Sequence, residues 1–379
     1  MKSKVIFLSY CDLCDSSACA ARVKMYSKML DKEGIENKYY SIYDFYNESP
    51  LIESLNSNRY IRRLSYYFTI FAYVKSMKKY FSKKHNTVFY LYPTTAILLD
   101  YFLVIYLKIL NNQKIFLEVN EVRKWGSSVN KNSFNFFKYQ LYERLSRHFT
   151  GLVCISKNIE AHYKKYNRNT LRIPILSNAN IVYASNCNYQ NVGPFNIGFT
   201  GSIHIGKENL DIFFSALNQV SSKGYRIVFN MYGSISDEKK FYKLVDFYSL
   251  KSIIKYHGVV EQHLVPSILA MQDLLVLPRA NTLQNMYGFS TKLSEYLVSG
   301  VPVLITDVSD NLVYLTPNED CLIADFESSK TFASQIESLI TNYDSVAEKL
   351  AQNAFNVARE NFHYLTYSSN FKMFLEISN

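Results

Sequence analysis

The chain has 379 residues, 48% apolar and 20% charged, a globular composition that at about 150 residues per domain leads to two domains with sizeable cores. With 12 glycines and 8 prolines it is neither collagen-like nor linker-rich. The net charge of +10 points to anionic partners. The longest apolar run, Ala96 to Leu110, carries Asp100 and Lys108 and falls short of the about 20 residues a membrane span needs.

In chain order, the opening MKSKVIFLSY meets Cys11 and Asp12 with no small-residue cleavage site after it. It reads as a buried strand, Val5–Ser9, rather than a secretion signal. Cys11, Cys14 and Cys19 lie close together, but no matching pair follows at finger-like spacing. Reduced thiols and no metal site are expected. A helix over Ser17–Glu33 comes next. Between Ser54 and Leu99 there is no Asp or Glu, while Arg59, Arg62, Arg63, Lys75, Lys78, Lys79, Lys83 and Lys84 are cationic. Ile61, Leu64, Phe68, Phe71, Val74 and Met77 recur there at helical spacing, with tyrosines interleaved. Two readings of Arg59–Lys84 stand. It attaches peripherally to an anionic membrane surface, each cation contributing about 1 kcal/mol, or it is a core helix with a solvated basic face. No nucleic-acid module accompanies it, so nucleic acid is not an expected partner.

Strands follow at Thr87–Leu91, Lys114–Glu118 and Gly151–Ile155, with helices at Thr95–Leu110 and Phe134–His148. That alternation predicts a parallel sheet with helices on both faces. Arg172 to Pro194 reads as a connection. The grammar then restarts, with strands at Phe195–Thr200, Arg226–Tyr232, Ile253–His257, Asp273–Val276, Val301–Thr306 and Cys321–Ile323. Helices are expected at Asn209–Ser222, Asp237–Tyr248, Leu264–Met271, Lys292–Ser299 and Lys330–Tyr343, and two more after Val346. The fold class is therefore α/β, with two successive Rossmann-like, doubly wound domains facing across a cleft. The expected boundaries are 1–185 and 186–350, with 351–379 forming C-terminal helices that pack either on the second domain or back on the first.

Two segments carry chemistry. In IGFTGSIHIGKENLDIFFSAL a strand ending at Thr200 meets Gly201, then Gly206 and Lys207, then a helix. Glycine admits a ligand close to backbone, and the helix start favours phosphate. An ordinary strand-to-helix turn explains the same pattern. In YGFSTKLSEYLVSGVPVLITD, Ser290 and Thr291 cap a helix that Gly300 ends. Ser290, Thr291 and Lys292 thereby place hydroxyls and an ammonium at a helix start. Glu295, one turn on, can accept two hydrogen bonds from a ribose diol; alternatively it is a surface partner of Lys292. No Asp-x-Asp triplet is present to hold a metal-bound diphosphate.

The segment Tyr287–Asp307 resembles the nucleotide-sugar motif of retaining glycosyltransferases of family 4, which have the GT-B fold. The resemblance extends through GFTGSIHIGKE, YGS at Tyr232–Ser234, KYHGVV at Lys255–Val260 and the run to Pro278, and more loosely over the first half. It implies an N-terminal acceptor-binding and a C-terminal donor-binding domain. Gly201, Ser202 and Lys207 would meet the donor diphosphate, with Ser290, Thr291 and Lys292 on its other side. Glu295 would hold the ribose, and His257, Gly258 and Val260 would lie near the base. The family often has Arg where Ser202 stands. Its motif usually begins with Glu where this chain has Tyr287, and a backbone amide over Tyr287, Gly288 and Phe289 would substitute. Lys207 and Lys292 would stabilise the leaving group, with the departing phosphate accepting the acceptor's proton.

In the first half Glu118, Asn120 and Glu121 follow a strand end. Glu121 is a candidate acceptor contact or base, or else a surface charge paired with Arg123 or Lys124. Arg22 is expected to point toward the cleft, and His204 is either a diphosphate contact or merely exposed. The implied activity is metal-independent sugar transfer from a nucleoside diphosphate to a polyprenyl-diphosphate-linked or other glycan acceptor. No further cofactor is implied. The setting would be surface-polysaccharide assembly at the cytoplasmic face of the plasma membrane. A non-catalytic GT-B scaffold and a nucleotide-sugar epimerase are the alternatives.

Overall fold

A computed structural model describes residues 2–9, 18–41, 45, 70–81, 85–93, 97–126, 129–177, 183–187 and 193–376. Cys11, Cys14 and most of the basic stretch, Arg59 to Arg63 and Lys83 to Lys84 included, lie outside them. The chain forms two compact units, 1–174 with 364–379, and 175–363. The division thus falls after Pro174 rather than at 185. The long helix Tyr343–Asn361 stays with the second unit, and only the residues after His363 return to the first.

The first unit is a parallel sheet ordered β2-β1-β3-β4-β5-β6. Its strands are β1 (Lys2–Ser9), β2 (Glu36–Ser41), β3 (His85–Leu91), β4 (Lys114–Val119), β5 (Gly151–Cys154) and β6 (Thr170–Arg172). The central strands are continuous apolar runs because helices cover both faces of such a sheet. The edge strands β2 and β6 are the two that the sequence pattern missed. ENKYYS and TLR are polar and half-exposed, so neither carries an apolar run. Helix Ala18–Lys32 buries Tyr26, on which Phe371 of the C-terminal helix Ser368–Phe374 stacks at 4.7 Å. Phe374 meets Phe116 edge-on at 5.3 Å. It passes so close to Gly151 that a Cβ there would come within 2.7 Å of its ring. Residues 70–80 are helical. The expected helix over 95–110 runs as α-helix through Ile97–Val104 and then loosens into a π-turn over Ile105–Leu110.

The second unit is also parallel, ordered β12-β11-β10-β7-β8-β9. Its strands are β7 (Phe195–Thr200), β8 (Ile227–Tyr232), β9 (Ile254–Tyr256), β10 (Leu274–Leu277), β11 (Val303–Thr306) and β12 (Leu322–Ala324). All six match expected strands to within two residues. Phe213, Phe214 and Phe229 are fully buried and meet edge-on, with Phe241 and Phe332 closing the cluster. The order reverses between β7 and β10, the first and fourth strands of this half. In open parallel sheets that reversal splays the loops apart and leaves a binding crevice at the carboxyl ends of the strands.

Candidate functional site

Three glycines mark the carboxyl ends of β7, β8 and β9. Gly201, Gly233 and Gly258 have φ of +102°, +130° and +75°, a region that side chains disfavour. The Gly201 amide donates to Tyr232 O, and the Gly233 amide to Gly258 O. A Cβ on Gly233 would lie 2.2 Å from Gly201 O, and one on Gly201 would lie 2.6 Å from Lys292 Cε. The backbone is stripped here so that the Lys292 side chain can cross it.

Lys292 sits in helix Thr291–Leu297. Its Nζ donates to Ser202 O (3.1 Å) and to Glu208 Oε1 (3.0 Å), and it lies 4.2 Å from the centre of the Phe199 ring. Glu208 is buried and also faces Arg279, whose Nη2 is 3.5 Å from the same oxygen. Arg279 follows β10, and its Nη1 donates to Asn285 Oδ1 at 3.0 Å. The loops after β7 and β10 therefore supply facing halves of one charged cluster at the topological switch point. Burial pushes the Lys292 ammonium down to about 8, opposed by Glu208 and reinforced by Arg279 and Lys207. Burial would raise the Glu208 carboxyl, but Arg279, Lys292 and Lys207 together hold it below the usual range. Three cations thus act on one carboxylate. Glu208 Oε2, Arg279 Nε and Ser290 Oγ are buried with no partner among the described residues. A cluster with surplus positive charge and unspent donors is built to receive an anion.

The remaining expected residues fall around it. Ser202 is exposed and offers its carbonyl to Lys292, whereas Lys207 is half-buried. Ser290 occupies the cap position through its carbonyl, which accepts from Leu293. Its hydroxyl makes no cap bond, contrary to expectation, and Thr291 is exposed. Glu295 does not pair with Lys292 in the way the sequence allowed. It accepts from Gln262 Nε2 at 3.2 Å, and burial raises its carboxyl above the usual range, with Gln262 and Lys292 opposing. Gln262 belongs to the turn just after His257, Gly258 and Val260, so that loop and Glu295 meet. His257 stacks on Tyr232 at 4.3 Å and its Nε2 is 3.0 Å from Asn230 Oδ1. Tyr287 ends the short helix Leu283–Tyr287. The Gly288 amide donates to Gln284 O, so it is not a spare donor. Phe289 is buried against Tyr314 and Phe362, which makes its side chain a packing element. His204 is exposed, and burial followed by Lys207 lowers its imidazole.

In the first unit two expectations fail. Arg22 does not point outward: it is buried, and its Nε donates to Glu118 Oε1 at 2.7 Å. Its two terminal nitrogens donate to Pro174 O (2.5 Å) and Ile173 O (2.7 Å). Glu118 lies within β4, fully buried, and also accepts from Tyr26 (2.9 Å) and Tyr90. Glu121 is exposed just past β4, near Arg123. Lys124 pairs with Glu143 instead, at 2.8 Å.

Sequence reasoning missed Glu208 and Arg279. Glu208 directly follows Lys207, and Arg279 directly follows the β10 apolar run and Pro278. Neither position carries a local signal, because each takes its role from a partner far away in the chain. Among the described residues, no cluster of three His, Cys, Asp or Glu could hold a metal.

Residues 193–357 match the family of glycosyl transferases group 1. No curated protein matches the chain. Among solved structures, the chain is similar to sucrose-phosphate synthase from Thermosynechococcus elongatus, with a TM-score of 0.73 at 13% identity, covering 99% of this chain and 98% of that one. It is similar to Anabaena HepE in complex with UDP and glucose, at 0.70 and 13% over 99% of each chain. A glycosyltransferase from Rickettsia africae gives 0.68 and 15% over 99% of this chain and 98% of that one. At these identities the likeness is one of fold, and that fold is GT-B.

Proposed function

We propose that this chain, whose residues 193–357 are a group 1 glycosyl transferase region, moves a sugar from a nucleoside diphosphate to a glycan acceptor and retains the configuration at the sugar carbon. One observation carries the proposal: Lys292 and Arg279 both reach the buried carboxylate of Glu208 at the switch point, and the charge of Lys207 acts on it as well. A diphosphate brings the negative charge that this cluster lacks. The same cations then meet the charge that develops on the leaving group, a preorganised electrostatic contribution that needs no metal. Gly201 and Ser202 lie against the diphosphate, and the unpartnered Ser290 hydroxyl and exposed Thr291 line its other side. Glu295 holds the ribose diol. The base lies by His257, Gly258 and Val260, and UDP is the first candidate because HepE was solved with it. The sugar falls toward Tyr287, Gly288 and Phe289. The departing phosphate takes the acceptor's proton on the same face, so no protein nucleophile is called for. Glu121, exposed on the first unit, is an acceptor-side contact. The donor is the only small molecule the reaction requires.

The acceptor we propose is lipid-linked, polyprenyl diphosphate being the natural class, with the protein held at the cytoplasmic face of the plasma membrane during surface-polysaccharide assembly. The net charge of +10 and the acid-free stretch around Arg59–Lys84 support this. Among the described residues no helix is long and apolar enough to cross a membrane. A non-catalytic scaffold gains weight from one observation, Tyr287 standing where the family usually has Glu.

A thermal-shift panel of nucleoside diphosphates and their sugars, followed by a transfer assay, tests the proposal. UDP or a congener is expected to raise the melting temperature. Lys292→Ala is expected to cut transfer about a hundredfold or more while the protein stays folded. Glu295→Ala is expected to weaken donor affinity about tenfold. Stabilisation by nucleotide without any turnover would favour the scaffold. No response to any nucleotide would sink both readings.

A further inference from the structure

The first unit carries an apolar surface that the donor chemistry does not use. On the helix Ile97–Val104 and its π continuation, Leu98, Phe102 and Ile105 recur at intervals of four and three residues and are 51%, 45% and 41% exposed. On helix Phe134–Leu145, Phe134, Phe137 and Leu141 repeat the pattern, with Phe134 79% exposed. The two helices are neighbours. Tyr142 of the second donates to Asp100 of the first at 2.8 Å, and its ring meets Tyr101 edge-on. An amphipathic helix ordinarily turns such a stripe into the core, whereas here a second stripe on each helix does that. Leu99, Leu103 and Val104 on the first, and Tyr142 and Leu145 on the second, are buried. Large apolar side chains left outside in a row on each of two neighbouring helices mark an interaction surface.

The charges on these helices are sorted by sign. Their two acids point inward: Asp100 is buried under Tyr142, and Glu143 is buried and held by Lys124 and His162. Outside, Arg144 and Arg147 at the end of helix Phe134–Leu145 and the turn after it are exposed, while Lys138 and Lys108 are half-buried. A second copy seated on this face would oppose cation to cation across a two-fold axis. Exposed aromatic and aliphatic rows beside the exposed Arg144 and Arg147 match the headgroup layer of an anionic bilayer.

We propose that the paired helices 97–110 and 134–147 lie on the surface of an anionic phospholipid bilayer, with Phe102, Phe134 and Phe137 entering the interface and the lysines and arginines on the headgroups. The inference deepens the membrane setting proposed above by placing contact on residues other than those of Arg59–Lys84. It does not depend on the donor site.

Co-sedimentation of the full chain with vesicles of phosphatidylglycerol and phosphatidylcholine at low salt tests it. The wild type is expected to bind, and to bind vesicles of phosphatidylcholine alone far more weakly. The triple variant Phe102→Ser/Phe134→Ser/Phe137→Ser should lose about a hundredfold in partitioning. Lys138→Gln/Arg144→Gln/Arg147→Gln should lose about fivefold per charge and flatten the salt dependence. An unchanged thermal response to UDP, or an unchanged melting curve, shows that each variant is folded. Binding that survives the triple variant but is lost on Lys75→Gln/Lys78→Gln/Lys79→Gln overturns this inference and leaves the basic-stretch reading standing. A wild type that ignores anionic vesicles overturns both, and a dimer abolished by the triple variant identifies a second copy as the occupant.

Discussion

Each unit buries a carboxylate against cations beside its sheet, and the two centres are built differently. In the first unit Glu118 meets one guanidinium, that of Arg22, and two phenols, while Arg22 spends its remaining donors on the carbonyls of residues 173 and 174. Charge balances and the hydrogen bonds close. Burial would lower the Arg22 guanidinium, but Glu118 and the phenols hold it above its usual value, while burial first of all pushes Tyr26 and Tyr90 well up. In the second unit Glu208 answers three cations, and buried polar atoms remain unpartnered. The lesson is that a buried ion pair says little about role until its charges and donors are counted. A closed count holds a fold together, whereas an open one waits for a ligand.

The largest expected effect tests the closed centre. Arg22→Met leaves Glu118 buried without its cation and should cost about 3–5 kcal/mol in denaturant unfolding, while nucleoside diphosphate affinity of the folded protein stays unchanged. A parallel loss of affinity would break the contrast. A smaller effect is expected from Glu208→Gln. It should destabilise the empty protein by about 1–3 kcal/mol, because Lys292 and Arg279 lose their counter-charge. It should also enlarge the melting shift produced by UDP, since the diphosphate becomes the sole anion. A smaller shift would mean that Glu208 helps to hold the ligand.

The finest test uses pH. The unfolded Lys292 keeps its proton to its ordinary value of 10.5, the folded one only to about 8. Between these values the unfolded chain binds more protons, so this group's contribution to stability rises with pH. Diphosphate binding needs the ammonium and should fall about tenfold per pH unit above about 8. Melting curves of wild type against Lys292→Met, with and without UDP, should therefore move in opposite directions as pH climbs from 8 to 10.

Much of this architecture was readable in advance. Every strand of the second sheet was marked by an Ile, Val, Leu or Phe run, its edges included, because IKY and LIA carry apolar residues. The edges of the first sheet escaped notice, because ENKYYS holds no aliphatic residue and TLR only Leu171. Gly201, Lys292 and Glu295 were legible because a glycine after a strand and a polar helix start leave local signatures. Glu208 and Arg279 leave none, since their partners are 84 and 71 residues away.

The order of residues alone determined two doubly wound halves, because apolar periodicity is a property of neighbours along the chain. It also placed a glycine-marked turn after β7. Only tertiary structure decided which charges met: that Arg22 turns inward to Glu118, and that Lys292 crosses Gly201 to reach Glu208. It decided too that Asp100 and Glu143 are buried while Arg144 and Arg147 stay exposed. Electrostatic pairing depends on distance through space and on burial, and neither is written in sequence separation.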